Sequence, residues 1–400
     1  MSNSLKKNSF ITLSGQLLKT GFQGISFIIL ARTLGASDFG ILVSILAIGN
    51  IISPFVDFGS YDLIIKRISN GEKFNRVVNE TIILLLVAAP LFTILLAAIA
   101  VNLYDYSLYL VIAIGITVLF SDKLLSLFIA YNVARDKFKV VSIIESFISG
   151  LRLIFASLLL FMDGDVATWA ILLLIHGLIS TIVIILILRR ETHFTSEHKP
   201  SKKLIKEGLP FVWTQVGMNA NQDFDKLFLV KMAGAEIAGI YAVAMRVLNL
   251  ALIPIYSFYM TAYPRYFRAS SEGAHGAKHA LSMLVPSALI GLVTAAGIYL
   301  IAPYAPLILG DEYNEAVGLI QLAALIPIIQ TMATPFADTL SGYGKQNLRV
   351  YSLIAALILN IILNIILIPT YGATGALIAS IFSQCLFFIG CFSFTMWSSK

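Results

Sequence analysis

Apolar stretches long enough to cross a hydrocarbon layer of about 30 Å, which takes about 20 helical residues, recur from one end of this 400-residue chain to the other. No stretch is left over for a soluble domain. Composition agrees: 58% of residues are hydrophobic, only 12% are charged and the mean hydropathy is +0.87, where an ordinary soluble domain carries about 25% charged residues. The runs fall at 8–31, 40–60, 77–101, 108–131, 140–162, 166–188, 208–232, 240–264, 280–302, 315–340, 348–368 and 373–397. The expected fold is therefore an all-α polytopic membrane protein with about 12 transmembrane helices.

Charge gives the topology. Every second connection is basic: Lys66, Arg67, Lys73 and Arg76; Arg135, Lys137 and Lys139; Arg189 through Lys206; Arg265, Arg268 and Lys278; and Lys345 and Arg349. The alternate connections carry little more than Arg32 and Lys231. Under the positive-inside rule the basic loops and both termini face the cytoplasm. The same reasoning accounts for the net charge of +6 without nucleic acid, which is not expected as a partner. The first apolar run carries Gln16, Lys19 and Gln23, so it does not read as a cleaved signal peptide. Cys385 and Cys391 share the last span and suggest no disulfide framework or metal cluster.

The two halves repeat. At a constant offset, Gln16 falls on Gln215, Gln23 on Gln222, Gly35-Ala36 on Gly234-Ala235, Gly40-Ile41 on Gly239-Ile240 and Asn50 on Asn249. An even number of spans between copies gives both halves the same orientation, related by an axis along the membrane normal. The expected organisation is an N-terminal six-helix lobe, 1–190, a cytoplasmic linker, 191–207, and a C-terminal six-helix lobe, 208–400, with pseudo-two-fold symmetry around a central cavity. The Gly-Ala-x3-Gly elements sit at the turn between the first two spans of each half, where glycine permits a tight reversal. Pro369 to Gly375 reads as a turn of the same kind.

Polar residues inside the spans locate the candidate site. Thr12, Gln16, Lys19, Gln23 and Ser26 line one side of the first span, and Gln215, Asn219, Gln222 and Lys226 repeat the device in the seventh. Such a stripe lines water or packs against other polar helices. The intramembrane cations Lys19, Lys123, Arg152, Lys226 and Arg246 sample the whole depth of the bilayer. Together they suit a substrate carrying phosphate, with Gln16, Gln23, Gln215 and Gln222 as further contacts. The alternative for each cation is pairing with a nearby carboxylate, as for Asp223 and Lys226 on one helix; Lys19 has no acidic residue nearby on its own helix. Candidates for ion coupling are Glu145, Asp225 and Asp338, along with Asp122, and the amides Asn360 and Asn364 could supply oxygen ligands. Asp57 and Asp223 lie near enough to helix ends to be read as solvated. No cofactor is expected beyond Na+ or H+. His176 stands alone in its span and the other histidines lie in loops, so no catalytic constellation is visible and the chain is not read as an enzyme. Pro54, Pro90, Pro254, Pro286, Pro327 and Pro335 permit bends.

Ala31-Arg-x-Leu-Gly-Ala-x-x-Phe-Gly40 with Asp57-Phe-Gly59, and Asp225-Lys226 with Gly234, Gly239-Ile-Tyr241 and Ala244, resemble the Wzx O-unit flippases of the multidrug/oligosaccharidyl-lipid/polysaccharide exporter superfamily. The resemblance implies movement of an undecaprenyl-diphosphate-linked oligosaccharide across the cytoplasmic membrane by alternating access, with the polyprenyl tail staying in membrane lipid. It further implies Lys19, Arg152 and Lys226 as diphosphate contacts and Asp225 with Asn360 and Asn364 as an ion site. A polysaccharide polymerase and a chain-length regulator are the implied protein partners. A drug exporter of the same fold is the competing reading, disfavoured by the five cations; a polytopic polymerase is disfavoured by the short external loops.

Overall fold

In the computed structural model the chain is described over residues 3–192, 202–271 and 276–397. Linker residues 193–201, with His193 and His198, lie outside the described residues, as does His275; so do the side chains of Thr12, Arg265, Arg268 and His279. The described chain is helical: α1 Asn3–Asp57, α2 Ser60–Ser69, α3 Phe74–Tyr104, α4 Leu108–Ile116, a π-helical turn Thr117–Ser121, α5 Asp122–Val133, α6 Phe138–Phe161 and α7 Val166–Glu191. There follow α8 Lys202–Ala233, α9 Ala235–Ser271, α10 Gly276–Ile301, α11 Ala305–Leu309, α12 Ala316–Ala323, α13 Leu325–Gly342 and α14 Gln346–Trp397.

Among the described residues nine helical stretches are long and apolar enough to cross a membrane. Two of them, Ser14–Ser69 with 56 residues and Gln346–Trp397 with 52, are long enough at about 1.5 Å per residue for two passes each. Both break at a glycine: Gly35 at φ 69° and Gly372 at φ 54°. Helix α8 has the length of a span, 32 residues, but is too polar to be recognised by hydropathy. The nine stretches thus carry the expected spans once the double passes and α8 are counted.

The repeat has a conformational counterpart. Gly35 and its equivalent Gly234 both take positive φ, 69° and 99°, a region nearly closed to residues with a Cβ. The Gly-Ala-x3-Gly element therefore breaks the helix at the same place in each half.

The chain packs as two compact units, Met1–Leu227 and Phe228–Lys400. In the first, α1 lies closely along α6. A Cβ on Gly15 would come within 2.5 Å of the Ser142 Cβ, and Gly150 faces the Phe22 ring, so small residues bring the two backbones together. Helices α3, α4, α5 and α7 complete this unit around Trp169, Tyr131 and Phe128, all fully buried, while Leu86, Val87, Leu91 and Ile94 of α3 point outward as a lipid-facing surface must. In the second unit α10, α13 and α14 enclose Phe336, which meets Phe388 and Phe392 at ring-centroid distances of 5.9 and 5.2 Å. Tyr259 of α9 donates to the Thr331 carbonyl of α13 at 3.0 Å. Cys385 and Cys391 are free thiols.

Candidate functional site

The first unit holds a ladder of charged and polar side chains at membrane depth. Because α1 and α6 approach so closely, Lys19 reaches Glu145 across them and its Nζ lies 2.6 Å from the carboxylate. Tyr61 of α2 also lies in the electrostatic field of Asp62 and Glu145. The next rung is Lys123 of α5 with Asp57 at the end of α1, 3.3 Å apart. Asp57 is 3% exposed, and the chain turns immediately after it through Phe58 and Gly59, both at positive φ. On the α8 side, Asp223 pairs with Lys226 and accepts from the Asn50 side-chain amide at 3.1 Å, while Asn219 donates to the Asn50 carbonyl at 2.6 Å.

A further group surrounds the π-helical turn. A π-helix inserts one residue into the helical ladder and commonly marks functional positions. Here the turn is wedged against α7: Thr117 donates to the Leu173 carbonyl at 3.3 Å, Thr181 donates to the Ser121 hydroxyl at 3.1 Å, and Gly177 lies so close that a Cβ there would sit 2.9 Å from Ser121 Oγ. The turn delivers Asp122 and Lys123 into the unit. His176 of α7 is 2% exposed, places Nε2 3.1 Å from the Ile148 carbonyl of α6, and leaves Nδ1 buried without a hydrogen bond. Arg152 of α6 is an electrostatic neighbour of both His176 and Asp122.

These positions revise several expectations. Asp57 and Asp223 are not solvated; both are buried in ion pairs, Asp57 because Lys123 of α5 reaches the turn that ends α1, and Asp223 because it lies well inside α8. Lys19 does have an acidic partner, supplied by another helix. Glu145 is the partner of Lys19, and His176 is not isolated. The local Asp223–Lys226 pair is present. Of the glutamines, Gln16 and Gln222 are exposed and Gln23 and Gln215 are half-buried. In the second unit Asp338 pairs with Arg349 at 3.2 Å, and Asn364 donates to the Asn360 side chain at 2.9 Å, so the two amides do lie together. Asp225 is buried, and Arg246 is half-buried.

Sequence reasoning also missed a charge cluster at the basic ends of the first unit's helices. Arg67, only 8% exposed, bridges Glu72 at 2.6 Å and Glu80 at 2.8 Å, and Arg76 closes on Glu80 at 2.8 Å. Arg135 stacks over the Phe74 ring at 3.8 Å and shares Glu191 with Lys137. The basic residues of these loops therefore anchor helix ends. Their signal in the sequence was the presence of Glu72, Glu80 and Glu191 beside the basic runs.

Against known proteins, the family model described as polysaccharide biosynthesis protein matches residues 5–270. The "Probable low-salt glycan biosynthesis flippase Agl15" of Haloferax volcanii is 24% identical over 394 residues, spanning 95% of this chain and 81% of the relative. The "Putative O-antigen transporter" of Shigella dysenteriae is 25% identical over 371 residues, 89% of this chain and 91% of that protein. An inward-facing multidrug resistance MATE family transporter of the MOP superfamily superposes with a TM-score of 0.75 at 16% identity, covering 98% of each chain. A MOP superfamily transporter from Pyrococcus furiosus, described by the reverse polarity of its binding pocket, gives 0.62 at 16% identity over 98% of this chain and 94% of its own. At these identities the structural likenesses establish the fold.

Proposed function

Because this chain belongs to the polysaccharide biosynthesis protein family of multi-pass MOP-superfamily transporters, we propose that it flips undecaprenyl-diphosphate-linked oligosaccharide repeat units from the cytoplasmic to the outer leaflet of the cell inner membrane. The coarse activity is that of a glycan-flippase-like transporter, not of an enzyme. The finer reading rests above all on intramembrane cations in a fold whose relatives are named for glycan flipping and O-antigen transport. A diphosphate moved across lipid loses its hydration, and guanidinium or ammonium groups replace it.

The ion pairs narrow the set of cations that serve this role. Lys19, Lys123 and Lys226 each have a carboxylate at ion-pair distance, which neutralises them unless the substrate displaces it. Among the described residues Arg152 has none, which makes it the leading diphosphate contact, with Lys19, Lys123, Lys226, Arg246 and the glutamines Gln16, Gln23, Gln215 and Gln222 as further members of the proposed path. Asp225, Glu145 and Asp338, with Asn360 and Asn364, are the proposed ion-coupling residues. In this reading the repeats 1–190 and 208–400 act as two lobes joined by 191–207, and both termini are cytoplasmic, as the basic loops require. The polyprenyl tail stays in membrane lipid, and a polymerase with its chain-length regulator receives the flipped unit.

The test is a chromosomal deletion followed by mass analysis of lipid-linked intermediates. Accumulation of an undecaprenyl-diphosphate oligosaccharide on the cytoplasmic side, relieved by the wild-type chain and not by Arg152→Ala at equal protein level, is the expected result. A deletion strain with an unchanged intermediate pool and altered sensitivity to cationic drugs would instead favour a drug exporter of this fold.

A further inference from the structure

Away from the charged ladder, the hairpin of α3 and α4 in the first unit encloses a recess of about 410 Å³. Its walls are apolar: Thr93 and Ala97 of α3 stand opposite Leu108, Ile112, Ile116 and Phe120, which recur at every fourth residue through α4 and the π-helical turn. The Thr93 hydroxyl is turned back onto the Ala89 carbonyl at 2.8 Å, so it offers the recess no donor. The two walls meet at Gly115, where a Cβ would lie 2.8 Å from Leu96 Cδ2 and 3.2 Å from Thr93 Cγ2. Leu108 and Ile112 are 56% and 37% exposed, so the recess opens to the outside of the bundle. From Leu108 to Phe120 it runs roughly 18 Å at about 1.5 Å per residue, starting from the end opposite the basic loops, which matches the depth of one leaflet, roughly 15 Å. A recess with apolar walls gives water no partners, and at membrane depth what fills it is a hydrocarbon chain.

The mouth of the recess selects the headgroup. Tyr104 follows Ala97 by two helical turns, so it falls on the same face of α3, roughly 10 Å further out. Its ring is stacked on Tyr106, with centroids 5.8 Å apart and planes inclined by 17°. Tyrosines at a membrane surface ordinarily turn their hydroxyls to water. These two turn them inward: Tyr104 donates to the Leu227 carbonyl at 3.4 Å, and Tyr106 shares a 2.7 Å hydrogen bond with Ser44, which is fully buried. The rings are thereby pinned, with the exposed Asp105 between them in the chain. Charge at this end is mostly of one sign. No lysine or arginine occurs between Arg76 and Lys123, and the connections opposite the basic loops of this unit carry Asp38, Asp105, Asp163 and Asp165 against Arg32. Aromatic faces beside a carboxylate attract an ammonium and give a purely anionic head no partner. We propose that the α3–α4 hairpin binds a bilayer phospholipid with an ammonium headgroup, such as phosphatidylethanolamine, with one acyl chain in the recess and the ammonium at Tyr104, Asp105 and Tyr106. A polyprenyl diphosphate fits this mouth poorly, since its charge is wholly negative. The site therefore holds a lipid of the surrounding membrane and stands apart from the transport path.

The experiment delipidates the purified full chain in detergent and offers it phosphatidylethanolamine and phosphatidylglycerol with identical acyl chains, reading retained lipid by native mass spectrometry. Wild type is expected to retain the ethanolamine lipid about fivefold better. Asp105→Asn, a residue that tolerates the left-handed backbone at this position, is expected to bring the two lipids close to parity while a lipid is still retained. Ile112→Trp, which fills the recess from its open side, is expected to lose this lipid. Leu86→Trp, at a 54% exposed position of α3 outside the recess, controls for folding and is expected to behave as wild type. Equal retention of both lipids by wild type, an unchanged preference in Asp105→Asn, or undiminished retention in Ile112→Trp would each overturn the proposal. Preferential retention of undecaprenyl phosphate over the ethanolamine lipid would assign the recess to the chain of the transported lipid and would overturn it too.

Discussion

The Lys19–Glu145 pair separates a structural role from a substrate-binding one. Replacing either partner alone, as Lys19→Met or Glu145→Gln, leaves the other charge without its counter-ion among helices. Loss of one member of a fully buried pair costs about 3–5 kcal/mol. Here the side chains keep 27% and 15% of their exposure, so screening reduces the expected loss to about 1–3 kcal/mol for each single variant. The double variant Lys19→Met/Glu145→Gln removes both charges together and should recover most of that loss, giving a coupling energy of about 1–3 kcal/mol. Thermal unfolding in mild detergent, followed by retention of a monodisperse species, measures the cycle. Losses in the single variants that simply add in the double variant would refute the pairing seen between α1 and α6. Export measured on the same four proteins completes the argument. If Lys19 serves only to hold α6, export returns with stability in the double variant; if its ammonium contacts the diphosphate, export stays blocked in a protein that is stable.

Gly35→Val forces a branched side chain into φ 69° and should destabilise the first hairpin by about 1–3 kcal/mol, read as a lower unfolding temperature, whereas Gly24→Val, where no neighbour lies within 4 Å, should cost much less. Arg67→Gln leaves Glu80, which is 2% exposed, with the exposed Arg76 as its remaining counter-ion, and should cost about 1–3 kcal/mol with a matching fall in membrane-inserted protein. Asp165→Ala removes the cap on α7 and should cost about 1 kcal/mol, visible as faster hydrogen exchange at Thr168 and in the first turn. The Thr168 amide holds the Asp165 carboxyl below its ordinary value of 3.8, so this contribution is complete above that pH and disappears as pH falls through the depressed value. A maleimide should label Cys385, which is half-buried, and leave the fully buried Cys391 unmodified until the protein unfolds.

What could be read from the residues alone follows from the range over which each force acts. Span positions, the internal repeat and the glycine breaks are local properties: a run of apolar side chains or a residue without Cβ declares itself within a few positions, and Gly35 and Gly234 bear this out. The partner of Lys19 is of another kind, since Glu145 is 126 positions away and only the packing of Gly15 on Ser142 brings it near. A polar stripe shows that one face of a helix avoids lipid; it does not show what that face meets. For the same reason His176 looked solitary, and Asp57, which does end α1, looked solvated because nothing beside it in the sequence announces Lys123, 66 positions away. Helix α8 was read as the run 208–232 and supported by repeat matching to the first span, although its polarity keeps it out of the stretches recognised by hydropathy in the structure.

The π-helical turn at Thr117–Ser121 holds one residue more than a regular helix would need. In regular helix an added residue rotates everything after it by about 100°, and the wide turn absorbs that rotation, so Asp122 and Lys123 keep the bearing they would have without it. Excising one residue of this turn should therefore leave an ordinary helical turn with both side chains on their present side. The same single-codon deletion one turn further along α5 would swing everything beyond it like a key in a lock, and an alignment scored only on apolar character would not tell the two apart.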